Sequence, residues 1–119
     1  MVDDNRTFLE QAAALLATVP GIDVVARFGS AEEALPLVAA LQVDLVLLDL
    51  AMPGIDGLEA TRRIKGRDGA PRVIIASFHD TEQHRAAAAR VGADAFVAKT
   101  ELVEELIPLL QRAVKGGTR

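Results

Sequence analysis

The stretch LVLLDLAMPGIDG, residues 45–57, decides the fold. Leu45 to Leu48 are all apolar and run straight into Asp49, and a turn rich in Pro and Gly follows at once. A short apolar run closed by turn residues reads as a strand buried on both faces. An unpaired carboxylate at the end of such a run is costly, because burial disfavours the ionised form. Asp49 is therefore either a strand-end residue leaning into water or a group placed there to react.

Working outward, helical and extended segments alternate. Before the stretch, Phe8, Ala12, Leu15, Leu16 and Val19 keep the spacing of one helix face, and Pro20-Gly21 stops that helix. Asp23 to Phe28, DVVARF, reads as a short strand. Ser30 and Glu33 have the spacing of a capping box for a helix to about Leu41, in which Pro36 removes a hydrogen bond and predicts a bend or a short first segment. After the stretch, Asp56 and Glu59 form a second box opening a helix to about Lys65, and RVIIA, residues 72–76, is another buried-type strand. Asp80 with Gln83 is expected to cap a helix that ends at Gly92. Ala95 to Ala98 is a brief strand, and Thr100 is expected to cap a last helix to about Lys115. Residues 1–115 then form one domain, with 116–119 a tail or linker stub.

Short strands alternating with helices imply an α/β fold, a doubly wound parallel sheet covered on both faces. In such folds the carboxyl ends of the strands carry the site. Asp49, Ser77 and Lys99 each fall at such an end or one residue beyond it.

Composition narrows the function classes. The chain has 119 residues with 13 Lys plus Arg, 17 Asp plus Glu, a net charge of -4 and no cysteine. The acidic balance argues against direct nucleic-acid binding by this domain, and the missing cysteines remove disulfide frameworks and thiolate metal sites. No apolar run approaches the ~20 residues of a membrane helix, so the expected location is the cytoplasm.

Asp3-Asp4, Asp49 followed by LAMPGIDG, Ser77 after VIIA, and GADAFVAK ending in Lys99 together resemble the receiver domain of two-component response regulators. The resemblance spans nearly the whole chain and implies a flavodoxin-like sheet of order 2-1-3-4-5. It also implies that Asp49 is the phosphoryl acceptor, taking the group from a sensor histidine kinase with the help of Mg²⁺. By the same resemblance Asp4 and Asp49 bind the metal directly, the backbone carbonyl of Ala51 completes the protein ligands, and Asp3 acts through water. Lys99 and Ser77 would each meet a phosphoryl oxygen, and Phe96 with Ser77 would form the switch. Such a domain catalyses only its own phosphorylation and dephosphorylation. The AMPGIDGLEATRRIK and VGADAFVAKTEL wording is similar to regulators with a C-terminal helix-turn-helix, so a transcription-factor fragment, its DNA-binding effector domain outside this chain, is expected.

Three positions depart from the family pattern. Ala51 stands two residues after Asp49, where many receivers carry a polar side chain; Phe78 follows Ser77, where a small residue is common. Only Met1 and Val2 precede the acidic pair, so the first strand is truncated and is expected to pair as a short stub. Competing readings are a degenerate receiver used only for protein contacts and a haloacid-dehalogenase-type phosphatase. The second needs an acid where Ala51 stands. A flavin or nucleotide domain would need a Gly-rich phosphate loop that no strand here precedes. In the last helix, Leu102, Leu106, Leu109, Leu110 and Ala113 form one apolar stripe and Val103, Ile107 and Val114 a second. The second stripe is either part of a broad core face or the seam of a homodimer.

Overall fold

Three parallel strands, β1 (Leu45–Asp49), β2 (Arg72–Ser77) and β3 (Ala95–Ala98), form the sheet in the order β1-β2-β3 in a computed structural model that describes residues 1–116. Leu45 lies opposite Arg72 and Asp49 opposite Ala76; Ile74 lies opposite Ala95 and Ser77 opposite Ala98. The helices are α1 (Arg6–Leu16), α2 (Ala31–Leu41), α3 (Gly57–Lys65), α4 (Glu82–Arg90) and α5 (Leu102–Gly116). Gly116 thus closes α5 rather than opening the expected 116–119 tail, whose remaining residues lie outside the described ones.

Successive strand side chains point to opposite faces, and the core divides accordingly. Val46, Leu48, Val73 and Ile75 pack with Ala31, Ala34 and Val38 of α2, Ala60 and Ile64 of α3, and Ala88 of α4. Leu47, Ile74, Ala76 and Val97 pack on the other face with Leu16 of α1 and with Leu106 and Leu110 of α5. Both faces of every strand are covered, which is why β1 and β2 read as continuous apolar runs rather than alternating ones.

Helix starts follow local chemistry. Asn5 Oδ1 accepts from the Phe8 amide, Ser30 Oγ from Glu33, and Asp56 Oδ1 from Glu59. Two capping expectations are corrected. The cap of α4 is Thr81, whose hydroxyl accepts from the His84 amide and also meets His84 Nδ1, so Asp80 lies outside the helix. Thr100 sits inside a 3₁₀ turn, Lys99–Glu101, that runs into α5 and leaves it no capping position. The Glu59 carboxylate does not return to Asp56 but pairs with Arg62 and Arg63 one turn on. Pro36 does not shorten α2, which runs unbroken from Ala31 to Leu41.

The largest correction concerns Asp23 to Phe28, which forms no strand. Pairing requires a partner, and this segment meets neighbouring backbone only at its end, where Met1 and Asp3 bond to Ala26 and Phe28. Val2 is bridged in parallel to both Phe28 and Leu48, so the stub does occupy the central position of a 2-1-3-4-5 order. Its bonds are regular: Val2 N–H donates to Leu47 O at 2.9 Å, Asp49 N–H to Val2 O at 2.9 Å, and Asp3 N–H to Phe28 O at 3.0 Å. A cavity of about 920 Å³ lies between residues 22–28 and the first half of β1.

Candidate functional site

Every candidate group except Phe96 comes from a strand's carboxyl end or the loop just beyond it. Asp49 closes β1, Ser77 closes β2, Lys99 follows β3, and Asp3 and Asp4 follow the Val2 stub. The turn after Asp49 is shaped by glycine at two points. Gly54 has φ 76°, a conformation that L side chains rarely adopt, and the turn it makes lets Ile55 N–H donate to Glu32 Oε2 at 2.9 Å. Gly57 packs so closely that an added Cβ would stand 2.1 Å from the Asp49 carbonyl oxygen. The start of α3 is thereby pressed onto the backbone that carries Asp49, and Gly57 N–H donates to Leu50 O at 2.8 Å.

The three carboxylates converge: Asp3, Asp4 and Asp49 each offer an oxygen within 4.8 Å of the others. Asp3 and Asp49 are buried while Asp4 is exposed, so the cluster opens to solvent on one side. Lys99 meets it from the buried side. Its ammonium lies 2.6 Å from Asp3 Oδ2 and 3.1 Å from Asp49 Oδ1, and its side chain is only 4% exposed. Burial pushes the Asp49 carboxyl above its usual range, the Asp3 charge adds to the rise, and Lys99 opposes it. Net negative charge and hard oxygen donors make this set suited to a small divalent cation, and Lys99 offsets only part of that charge.

Two aromatic rings enclose the ammonium. Lys99 Nζ lies 4.2 Å from the Phe8 ring centre and 5.3 Å from that of Phe78, distances at which the ring faces attract a cation. Phe78 is 60% exposed, so a benzyl group stands at the open side beside Lys99. Phe8 was not among the sequence candidates. Its signal was its place on the first turn of α1, close behind Asp3-Asp4, which reads equally well as core.

Ser77 is buried, and its hydroxyl accepts from the His79 amide at 2.9 Å. Phe96 lies half-buried on β3 opposite Ile75, with the Arg85 guanidinium of α4 at 4.8 Å over its ring. Ala51 is exposed in the loop after β1. Asp3, Asp4, Asp49 and Lys99 thus form one contact group, while Ser77 lies on the same rim and Phe96 further back along β3.

A family model for the response regulator receiver domain matches residues 1–111 of this chain. The chain belongs to that family. The receiver is 32% identical over 117 residues to the transcriptional regulatory protein DegU of Brevibacillus brevis, covering 98% of this chain and 50% of that one. It is 30% identical over 116 residues to the nitrate/nitrite response regulator NarL of Escherichia coli K12, covering 98% and 54%. It spans about half the length of the curated relatives it matches. Among solved structures, the receiver domain of the NarL regulator from Mycobacterium tuberculosis superposes with a TM-score of 0.87 at 29% identity, over 97% of this chain and 93% of that one. A LuxR-family two-component response regulator from Aurantimonas gives 0.88 at 35% identity, over 97% and 82%. The flavodoxin-like fold and the receiver assignment read from the sequence are both borne out. No helix among the described residues is long and apolar enough to cross a membrane.

Proposed function

We propose that this receiver is a phosphorylation-controlled switch in which Asp49 accepts a phosphoryl group from the phosphohistidine of a sensor kinase. In that step the N–P bond of the donor breaks as an O–P bond to an Asp49 oxygen forms, and the imidazole leaves with the electron pair. The single observation that carries the reading is the convergence of Asp3, Asp4 and Asp49 on Lys99 at the strand ends.

The carboxylates fit Mg²⁺, which Asp4, Asp49 and the Ala51 carbonyl would hold, with Asp3 beside them. When bound, the ion supplies positive charge to the phosphoryl oxygens as negative charge develops on them. The chain's own groups do the rest. Lys99, held by Asp3, offers a second positive charge on the buried side, and transfer of its contact from Asp49 to a phosphoryl oxygen is the natural first consequence of acceptance. Ser77 offers a hydroxyl to another oxygen, giving up its present bond from His79. Movement of Ser77 would bear on β3 beside it, where Phe96 lies two residues before Ala98 with Arg85 of α4 over its ring. A change on the surface between α4 and β3 is the output, passed to a DNA-binding effector domain of a transcriptional regulator.

A protein-contact module without phosphorylation is disfavoured, because such a module has no use for a buried lysine shared between two carboxylates. A dehalogenase-type phosphatase lacks its acid at Ala51. The homodimer reading of α5 keeps only part of its seam: Val103 is 56% exposed, whereas Ile107 packs against the core and Val114 lines the cavity. The test is mass spectrometry after treatment with a small phosphodonor and Mg²⁺. One added phosphoryl group on the parent and none on Asp49→Asn is expected; equal labelling of the two would overturn the assignment.

A further inference from the structure

Phe78 brings an aromatic ring to the mouth of the site. Asp4, Ala51 and Phe78 are exposed on the loops past the strand ends, whereas Asp3, Asp49 and Ser77 are buried and the Lys99 side chain is 4% exposed. A donor that reaches Asp49 from solvent passes these three exposed residues, which offer it a carboxylate, a methyl group and a ring. The Phe78 ring joins neither core. Its neighbour is the Lys99 ammonium, 5.3 Å from the ring centre, and that ammonium lies 3.1 Å from Asp49 Oδ1. With one face toward the ammonium, the 60% of Phe78 that stays exposed is the opposite face and the outer edge. A tight turn sets the backbone there, because Ser77 Oγ accepts from His79 N–H at 2.9 Å across Phe78. Phe8 meets the same ammonium at 4.2 Å but packs against the core, so its ring is already used.

A ring face of this kind is chemically selective. It carries negative potential, so it attracts cations, stacks on other flat rings and repels anions. Phosphoryl donors differ in just these respects. The imidazole of a phosphohistidine is flat, and it is cationic when its second nitrogen is protonated. As the O–P bond to Asp49 forms, the electron pair of the N–P bond returns to that ring, which leaves with its proton as neutral imidazole. At no stage is it an anion. The leaving group of an acyl phosphate is a carboxylate, which takes the electron pair of its O–P bond and gathers negative charge as it departs.

We propose that Phe78 is a specificity-determining residue, its open face stacking on the imidazole of a phosphohistidine donor and so selecting that donor over small acyl phosphates. This rests on Asp49 as the phosphoryl acceptor. The reach is right. An in-line donor puts its phosphorus about 3–3.5 Å from the attacking oxygen and its leaving ring beyond that. Stacked rings keep their centres about 4.5–7 Å apart. Phe78, joined to Asp49 through Lys99 Nζ by legs of 5.3 and 3.1 Å, stands within that range of the leaving ring.

The test compares monophosphoimidazole with acetyl phosphate on the chain as it is, at saturating Mg²⁺, with Asp49→Asn as the blank. Second-order labelling constants are read by intact-mass spectrometry. Phe78→Leu keeps an apolar side chain without a ring, and Phe78→Tyr keeps the ring. The ratio of the imidazole donor's constant to the acetyl donor's should fall about fivefold in Phe78→Leu and stay within about twofold of the parent in Phe78→Tyr. Circular dichroism should be unchanged in both, since Phe78 lies outside the core. A residue that only blocks the entrance, or only supports the fold, would move both donors by one factor and leave the ratio alone. An unchanged ratio in Phe78→Leu, or an equal fall in Phe78→Tyr, overturns the proposal and leaves Asp49 as the acceptor. Labelling by neither donor, or equal labelling of Asp49→Asn, overturns the acceptor reading and this proposal with it.

Discussion

Replacing Lys99 by Met keeps much of the side chain's length and removes its charge, leaving two buried carboxylates facing each other. At an effective dielectric of about 20, the ammonium attracts Asp3 by roughly 6 kcal/mol at 2.6 Å and Asp49 by roughly 5 kcal/mol at 3.1 Å. The Asp3–Asp49 repulsion, with the oxygens within 4.8 Å of each other, is at least about 3.5 kcal/mol on the same scale, below the roughly 11 kcal/mol that Lys99 contributes against it. Desolvation of all three groups offsets most of these gross figures. Removal of one partner from a buried ion pair costs about 3–5 kcal/mol, and that is the expected loss for Lys99→Met. For a chain of this length it corresponds to a melting temperature lower by roughly 10–25 °C. The assay is urea and thermal unfolding by circular dichroism, without divalent cations, on the parent, Lys99→Met, Asp3→Asn and the double variant. Asp3→Asn should suppress a substantial part of the Lys99→Met loss, giving a coupling energy of about 1–3 kcal/mol. A Lys99→Met variant within about 1 kcal/mol of the parent, or a cycle additive to about 0.5 kcal/mol, would refute the reasoning.

Further outcomes follow from the same geometry. Gly57→Ala, favourable by ~0.5–1 kcal/mol in an ordinary helix, should instead destabilise by about 1–3 kcal/mol, because its Cβ meets the Asp49 carbonyl; thermal melts and a lowered phosphoryl-labelling rate report it. The Asp49 carboxyl is raised in the fold, so the folded chain holds a proton that the unfolded chain releases above ~3.9. Parent stability should therefore fall as pH rises through that window, and Asp49→Asn should be the more stable protein at pH 7, with the difference vanishing in acid. Mg²⁺ at a hundredfold excess over its dissociation constant should stabilise the parent by about 2.7 kcal/mol, reversed by chelation and much reduced in Asp4→Asn. With no Trp or Tyr in the chain, calorimetry or amide resonances, rather than intrinsic Trp fluorescence, must follow that binding.

The placement of Asp49 was legible from the sequence because an apolar run closed by a Pro-Gly turn puts it at a strand's carboxyl end. Ser77 and Lys99 were legible for a related reason, since both follow apolar strands in a pattern that fixes the sheet's parallel sense. What local pattern cannot carry is partnership. DVVARF has strand composition, yet a strand exists only where another backbone meets it, and this segment is met only at Ala26 and Phe28. The 2.6 Å contact between Lys99 and Asp3 joins positions 96 residues apart, which no spacing rule encodes. Phe8 was hidden because an aromatic residue on the inward face of a helix is ordinarily core. Thr81 displaced Asp80 as a cap by one residue, a shift that competing hydroxyl and carboxylate acceptors make easy.

The chain's four phenylalanines are distributed in a way that makes the protein its own spectrometer. Phe8 and Phe78 flank the Lys99 ammonium, Phe96 lies under Arg85, and Phe28 bridges Val2 at the edge of the cavity. A uniformly fluorophenylalanine-labelled sample would give four fluorine resonances and no background from elsewhere in the fold. Two would register the charge state around Lys99, one the packing on β3, and one the pairing of Val2 at the sheet's centre.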